Sequence, residues 1–381
     1  MTQRRTNVST AKAKQPARRS GRAAPGAPAR RVGPNRPALR SNWQAGVNLT
    51  GDAAADYLAP GSDNALQAAR TDRSTSVEIV PTWYMDTPTA SAVAADTART
   101  ATDSAVTHAV ATAQALGLRV LLKPQIDVLD GTYRGLIAPV DRPAWFASYR
   151  AMLLHYATLA RQLHIAGLVV GVELGSMVSG PRDTAIWRGL IRSVRRAGYT
   201  GRLTYAANWD QLRLVGFWRA LSYIGIDAYF PLITPTHRIL PKIADLVSAW
   251  RTSAVAGGPR DWVAEVTGLA RAEHLPVVFT ELGYVAAACT ATAPYQLTPP
   301  CAAGGRLAQP SERAQQDAYV AALRVWSRVP VVHGIYWWDW PTDAHEATDA
   351  YSPRGKLAER TLIEWNSARG ALPAGRHHPA P

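Results

Sequence analysis

The chain has 381 residues, 47% apolar and 18% charged, enough apolar surface for a sizeable core and too little charge for a disordered chain. Its formal charge of +14 first points to a nucleic-acid partner. However, 11 of the 42 Lys and Arg fall in residues 1–40, which hold no Asp or Glu; elsewhere 31 basic residues face 28 acidic ones, so the body carries no specific nucleic-acid signal.

In chain order, residues 1–40 come first. They are rich in Ala, Pro, Gly, Ser and Arg and almost free of large apolar residues. Such a segment cannot bury enough surface to offset its ordering entropy, so it is expected to be a disordered, solvated leader. No apolar stretch follows its arginines, which argues against an ordinary secretory signal. No run of 18 apolar residues is present, so no transmembrane helix is expected.

From residue 42 onward, short apolar or β-branched runs alternate with helical patterns. The runs cover residues 43–49, 77–84, 119–127, 168–174, 203–209, 223–230, 276–284 and 332–340. An Ala-rich segment separates the first two. Helices are expected up to Gly117, over about 143–164, 183–197, 241–274 and 312–328, and around 354–367. Eight strands separated by helices predict a single (β/α)₈ TIM barrel over 41–367, with a second loose tail at 368–381. A doubly wound sheet is the rival, but the first strand runs into Asn48-Leu49-Thr50-Gly51-Asp52 rather than a Gly-rich phosphate loop.

Barrel chemistry sits at the C-terminal strand ends. Here those ends collect carboxylates, amides and aromatics: Trp83, Lys123 and Asp127, Glu173, Asn208 and Trp209, Asp227 and Tyr229, Glu281, and Trp337-Trp338-Asp339-Trp340. One Glu at a strand end is commonly a salt-bridge partner. Two of them, Glu173 and Glu281 on the fourth and seventh runs, suit a glycosidase that needs paired carboxyl groups. Trp83, Trp209, Trp338 and Trp340 are candidates to stack on sugar rings, and strand alternation puts Trp338 and Trp340 on one side. Lys123, Asp127 and Asn208 are candidates to bind sugar hydroxyls; a buried charge network is the alternative reading. No metal or organic cofactor is expected.

Cys289 and Cys301 flank a Pro- and Thr-rich stretch. They fit either a local disulfide, which would imply an oxidising compartment, or two separate thiols.

Several segments taken together resemble glycoside hydrolase family 113. They are Gly46-Val47-Asn48-Leu49, Leu122-Lys123-Pro124, Gly131-Thr132-Tyr133-Arg134-Gly135, Gly171-Val172-Glu173-Leu174, Phe279-Thr280-Glu281-Leu282-Gly283-Tyr284, Tyr336-Trp337-Trp338-Asp339-Trp340 and Tyr351-Ser352-Pro353-Arg354-Gly355-Lys356. The resemblance implies a retaining β-mannanase-like barrel of clan A. It also implies Glu173 as acid/base, Glu281 as nucleophile, and Tyr229 as the hydroxyl that hydrogen-bonds the nucleophile and holds it ionised. Three positions depart from the pattern. Val172 stands where many clan members carry Asn, which leaves Asn208 as the candidate donor to the sugar 2-hydroxyl. Gln125 replaces an expected histidine, and Tyr133 a common tryptophan. The expectation is a monomer acting on a mannan-like polysaccharide or oligosaccharide. A β-mannosidase, another β-glycanase, or a non-catalytic glycan-binding barrel are the alternatives.

Overall fold

The computed structural model describes residues 42–235, 240–255, 258–301, 308–343 and 351–368. The tails expected at 1–40 and 368–381 therefore lie outside the described residues, apart from Ala368. Eight parallel strands close into a barrel: β1 (Gln44–Thr50), β2 (Ser76–Ile79), β3 (Arg119–Leu122), β4 (Gly167–Val172), β5 (Arg202–Asn208), β6 (Ile224–Asp227), β7 (Val277–Leu282) and β8 (Val332–Pro341). Each pairs with its sequence neighbours, and β8 closes the ring on β1.

Around them lie α1 (Pro60–Thr71), α2 (Asp103–Ala115), α3 (Arg142–Gln162), α4 (Pro181–Arg196), α5 (Ile243–Ala249), α6 (Trp262–Glu273), α7 (Glu312–Trp326) and α8 (Leu357–Ser367). The helix starts follow local chemistry. Thr102, Asp141, Asp261 and Ser311 each accept a first-turn N–H with a side-chain oxygen. Proline occupies the first turn of α1, α3 and α4, where its missing N–H is not needed. Among the described residues, no helix is long and apolar enough to cross a membrane.

Two expected elements divide. The second and third runs do not continue as single barrel strands. They stop before Pro81 and Pro124, whose nitrogens cannot donate to the ladder. Beyond the prolines, Thr82–Met85 and Gln125–Val128 leave the barrel ladder and pair with each other as a parallel ribbon, with Tyr84 also bridging to Ala94. The expected helix over 241–274 is two helices, α5 and α6, around a small antiparallel pair, Ser253–Val255 with Gly258–Arg260. Gly258, at φ +108°, and the following Pro259 cannot continue a helix.

The barrel interior is layered. At its base an apolar cluster joins Leu121, Val169, Val172, Ala206, Tyr223, Val278 and Tyr336. Tyr336 lies so close over Gly46 that a Cβ there would meet its ring at 2.2 Å. Above this come buried polar side chains: Asn48, Glu78, Lys123, Asp227 and Thr280. Most tryptophans fill the layer between strands and helices instead. Trp145, Trp187, Trp218, Trp250, Trp262, Trp326, Trp340 and Trp365 are all fully buried, each contributing on the order of 3–5 kcal/mol against truncation to Ala.

Candidate active site

β7 delivers Glu281 into the barrel mouth, where it is 5% exposed. Tyr229, two residues past the end of β6, donates its hydroxyl to Glu281 Oε2 at 2.6 Å. The Lys123 ammonium donates to Glu281 Oε1. Lys123 Nζ also lies 3.5 Å from Asp227 Oδ1 and 3.7 Å from Glu78 Oε2. Burial alone would lower the pKa of Lys123, but the charges of Asp227, Glu281 and Glu78 more than reverse this, so it remains an ammonium.

One cation cannot neutralise three carboxylates, and the surplus is visible. Burial drives the Glu78 carboxyl well above the usual range, and among the described residues neither of its oxygens has a hydrogen-bond partner. Asp227 Oδ1 accepts from the Thr280 hydroxyl at 2.7 Å. Its carboxyl is pushed up to about 7, first by burial and then by the neighbouring Glu281 charge.

Glu173 follows directly on β4 with φ +52°, a left-handed conformation uncommon for a residue with a side chain. Its N–H still donates to Ala206 O at 2.8 Å, and the next N–H, of Leu174, donates to the Tyr205 hydroxyl at 2.7 Å. The backbone is thus pinned to β5 while it makes this turn, and strain held in this way is common at functional positions. The side chain is 11% exposed, with Arg134 Nη1 3.5 Å from Oε2. Burial is the main cause raising the Glu173 carboxyl to about 8. The Asp227 charge adds to the effect, Arg134 opposes it, and Glu281 raises it further. Arg134 also binds Asp127 Oδ1 and donates to Gln125 Oε1 at 3.3 Å.

These contacts place the sequence candidates. Glu173, Glu281, Tyr229 and Asp127 come together at one mouth, joined by Trp338, whose ring centroid lies 5.7 Å from Lys123 Nζ. Asn208 stands opposite Asp227 in the β5–β6 register, with its amide turned to Asp210 Oδ1 and to the Trp209 N–H. Trp209 stacks on Tyr295 at 6.0 Å and lines a cavity of about 540 Å³ against α6 that contains neither glutamate.

Three expectations are corrected. Lys123 is fully buried among carboxylates and so does not reach a sugar hydroxyl; the charge-network alternative describes it. Trp83 leans toward the helix layer, its indole N–H donating to the Tyr156 hydroxyl of α3 at 2.9 Å. Thr82 and Tyr84 occupy the other face of that strand. Trp340 is fully buried and donates to Ala65 O of α1. The cause lies in the β1–β8 register, where Val47 pairs with Trp337 but Leu49 with Trp340. The extra residue on β8 is a bulge that reverses the alternation, so Trp338 and Trp340 do not share a side.

Sequence reasoning missed Arg134 and Glu78. Arg134 lay in a segment quoted only for its resemblance. Glu78 interrupts the apolar run Val77-Glu78-Ile79-Val80, and a charge at an interior strand position was its signal. The cysteines are joined: Cys289 and Cys301 form a disulfide with Cα atoms 5.2 Å apart. That loop reaches the site through Tyr351, whose hydroxyl donates to Pro294 O at 2.5 Å and whose ring lies 6.1 Å from that of Tyr229.

Chemically, the mouth holds one carboxyl kept protonated at neutral pH and another that accepts from an ammonium and a phenol. Divergent environments of this kind separate an acid from a nucleophile.

Comparison with known proteins identifies a family for the chain. The family model of Glycoside Hydrolase Family 113 matches residues 50–356. Among solved structures, the family 113 β-mannanase AaManA from Alicyclobacillus acidocaldarius, in complex with ManMIm, is similar at 25% identity. The match covers 86% of this chain and 98% of that one, with a TM-score of 0.73. A complex of a family 113 β-1,4-mannanase matches at 23% identity over 86% and 99% of the two chains, TM-score 0.72. A family 5 subfamily 18 protein from Streptomyces cattleya, in complex with GlcNAc, shares the fold at 13% identity, covering 87% and 83%, TM-score 0.51. No curated protein sequence matches the chain.

Proposed function

Because the chain belongs to glycoside hydrolase family 113, we propose that it is a retaining hydrolase of β-1,4-mannosidic bonds, with Glu173 as acid/base and Glu281 as nucleophile. The observation that carries the reading is the contrast between the two carboxyl groups. Glu173 is raised to about 8 and so holds a proton to give at neutral pH. Glu281 receives the Tyr229 hydroxyl and the Lys123 ammonium. The substrate class comes from the family 113 β-mannanase at 25% identity, whose chain is covered almost completely.

The proposed reaction has two steps. Glu281 attacks the anomeric carbon while Glu173 protonates the departing oxygen, giving a glycosyl-enzyme. Glu173, now a carboxylate, takes a proton from water, and the hydroxide so formed releases the sugar with its configuration retained. Trp338 offers the sugar an aromatic plane at the mouth, and Asp127 with Arg134 offers polar partners beside the acid/base. Asn208 is the amide we assign to the 2-hydroxyl, since Val172 cannot supply it. Action as a monomer is part of the same proposal.

The test is hydrolysis of mannan, glucomannan, cellulose and xylan oligosaccharides, with the first-formed anomer read by proton NMR. Mannose-linked oligomers are expected to be cleaved to the β-anomer. Release of the α-anomer would refute double displacement, and turnover confined to xylan or cellulose would refute the substrate.

A further inference from the structure

Double displacement by the two glutamates, on which this inference rests, moves a negative charge across the mouth, and the buried cations are arranged to follow it. In the first step a Glu281 oxygen bonds to the anomeric carbon, and the bond from that carbon to the leaving oxygen breaks. The leaving oxygen takes the proton of Glu173. Glu281 becomes a neutral ester and Glu173 a carboxylate, so the net charge is unchanged but its location shifts from β7 to β4.

Each location has its own cation, Lys123 beside Glu281 and Arg134 beside Glu173. Each cation also has further acidic neighbours: one, Asp127, for Arg134, and two, Asp227 and Glu78, for Lys123. Esterification therefore leaves Arg134 with a new carboxylate at 3.5 Å and removes the negative charge of the nearest acid that Lys123 bonds. Lys123 is fully buried, out of reach of solvent. An isolated ammonium in such a place is strongly disfavoured, because nothing replaces its lost hydration.

We propose that Asp227 is a positioning residue that takes over as the counterion of Lys123 when Glu281 is esterified, while Arg134 receives the carboxylate formed on Glu173. Asp227 is better placed for this than Glu78. It stands opposite Glu281 in the β6–β7 register, and the Thr280 hydroxyl holds its Oδ1 3.5 Å from the ammonium. Glu78 is farther, at 3.7 Å, and its oxygens have no hydrogen-bond partner among the described residues. The charged groups facing Asp227 are Lys123 just past β3, Glu78 from β2, Glu281 from β7, and Glu173 and Arg134 at the mouth. Part of what disfavours its ionisation is the Glu281 charge, which disappears in the ester. Above neutral pH Asp227 enters the step already ionised, and no proton has to leave.

The experiment is pre-steady-state hydrolysis of dinitrophenyl β-mannobioside, at a pH between the Asp227 and Glu173 values, by wild type, Asp227→Asn and Asp227→Glu. The wild type is expected to give a burst, and a fluorinated glycoside to label Glu281. Without burst or label the two-step mechanism itself falls, and the counterion role with it, before any variant is compared. Given the burst, Asp227→Asn should slow it about tenfold or more, because the ester state now holds an uncompensated ammonium. The following turnover phase should be unchanged or faster, and Asp227→Glu should recover part of the burst rate. Equal slowing of both phases would mark general damage to the site, and an unchanged burst would show that Asp227 is not the counterion; either overturns the proposal. Thr280→Val, which removes only the hydroxyl holding Asp227, should act in the same direction more weakly and serves if Asp227→Asn does not fold.

Discussion

Glu173 and Glu281 open onto one mouth but are held in opposite ways. On the β7 side, both carboxyl oxygens of Glu281 receive donors, one a phenol and one an ammonium, inside a ring of further acids. On the β4 side, Glu173 turns out of the strand on left-handed backbone and meets a guanidinium only at 3.5 Å, already engaged with Asp127. Burial is common to both sides; donors are not. In the proposed mechanism this difference in donors is what separates two chemically identical side chains, with the acid's role assigned to Glu173 and the nucleophile's to Glu281.

The most severe test of this contrast is to delete each carboxyl in turn. Glu281→Ala is expected to lose on the order of 10⁴-fold or more in kcat on every substrate, the scale seen when a nucleophile is removed. Glu173→Ala should lose about 10²–10⁴-fold on oligosaccharides and regain the first step on an aryl glycoside whose leaving group needs no proton. Azide should then give a β-mannosyl azide with Glu173→Ala and an α-mannosyl azide with Glu281→Ala. The reverse pattern of azide products would exchange the two assignments.

Tyr229→Phe tests the donors on the β7 side alone. It removes one hydroxyl at 2.6 Å from a buried carboxylate. Hydrogen bonds to charged groups contribute about 1.5–3 kcal/mol, so kcat should fall about 10–100-fold with little change in KM. A loss under twofold would mean that Lys123 alone suffices to hold Glu281.

The β4 side is probed by pH. The proposed mechanism needs protonated Glu173, so kcat/KM should decline as pH rises through about 8, the value to which burial and the Asp227 charge raise this carboxyl. Arg134 is the larger of the two cationic influences opposing that rise, ahead of Lys123. Arg134→Gln should therefore move the basic limb to higher pH, while also lowering the plateau through the loss of a second-step counterion. A limb that moves to lower pH, or does not move, would separate Arg134 from Glu173.

How far this contrast could be read beforehand depends on the physical range of each signal. The eight strands were legible because a buried parallel strand must be a nearly continuous apolar run. The strand-end glutamates were legible because a polar side chain ending such a run needs a reason. Three features had no local signature. The bulge that sends Trp340 to α1 is a matter of pairing between β1 and β8, which a period of two along one strand cannot reveal. Trp83 could not be oriented without knowing where Pro81 releases its strand from the barrel. Lys123 looked like a rim residue, since its burial depends on three acids from β2, β6 and β7. The Tyr229–Glu281 contact spans 52 residues and was accessible only through resemblance.

The mildest test concerns how far the β7 side depends on its bracing loop. The disulfide Cys289–Cys301 closes a short loop whose Pro294 carbonyl receives Tyr351, and Tyr351 in turn packs edge-on against Tyr229. Opening a loop of this size costs about 2–3 kcal/mol in the chain-entropy model. The double variant Cys289→Ser, Cys301→Ser should melt about 5 °C lower. If the brace only fixes the rim, kcat stays within about twofold of wild type while KM rises, since Tyr295 and Tyr351 lose their footing but Lys123 and Tyr229 still hold Glu281. A fall in kcat as large as that of Tyr229→Phe, at a temperature where the variant is folded, would extend the nucleophile's support beyond its two donors to the loop itself, and the two sides of the mouth would then differ in reach as well as in chemistry.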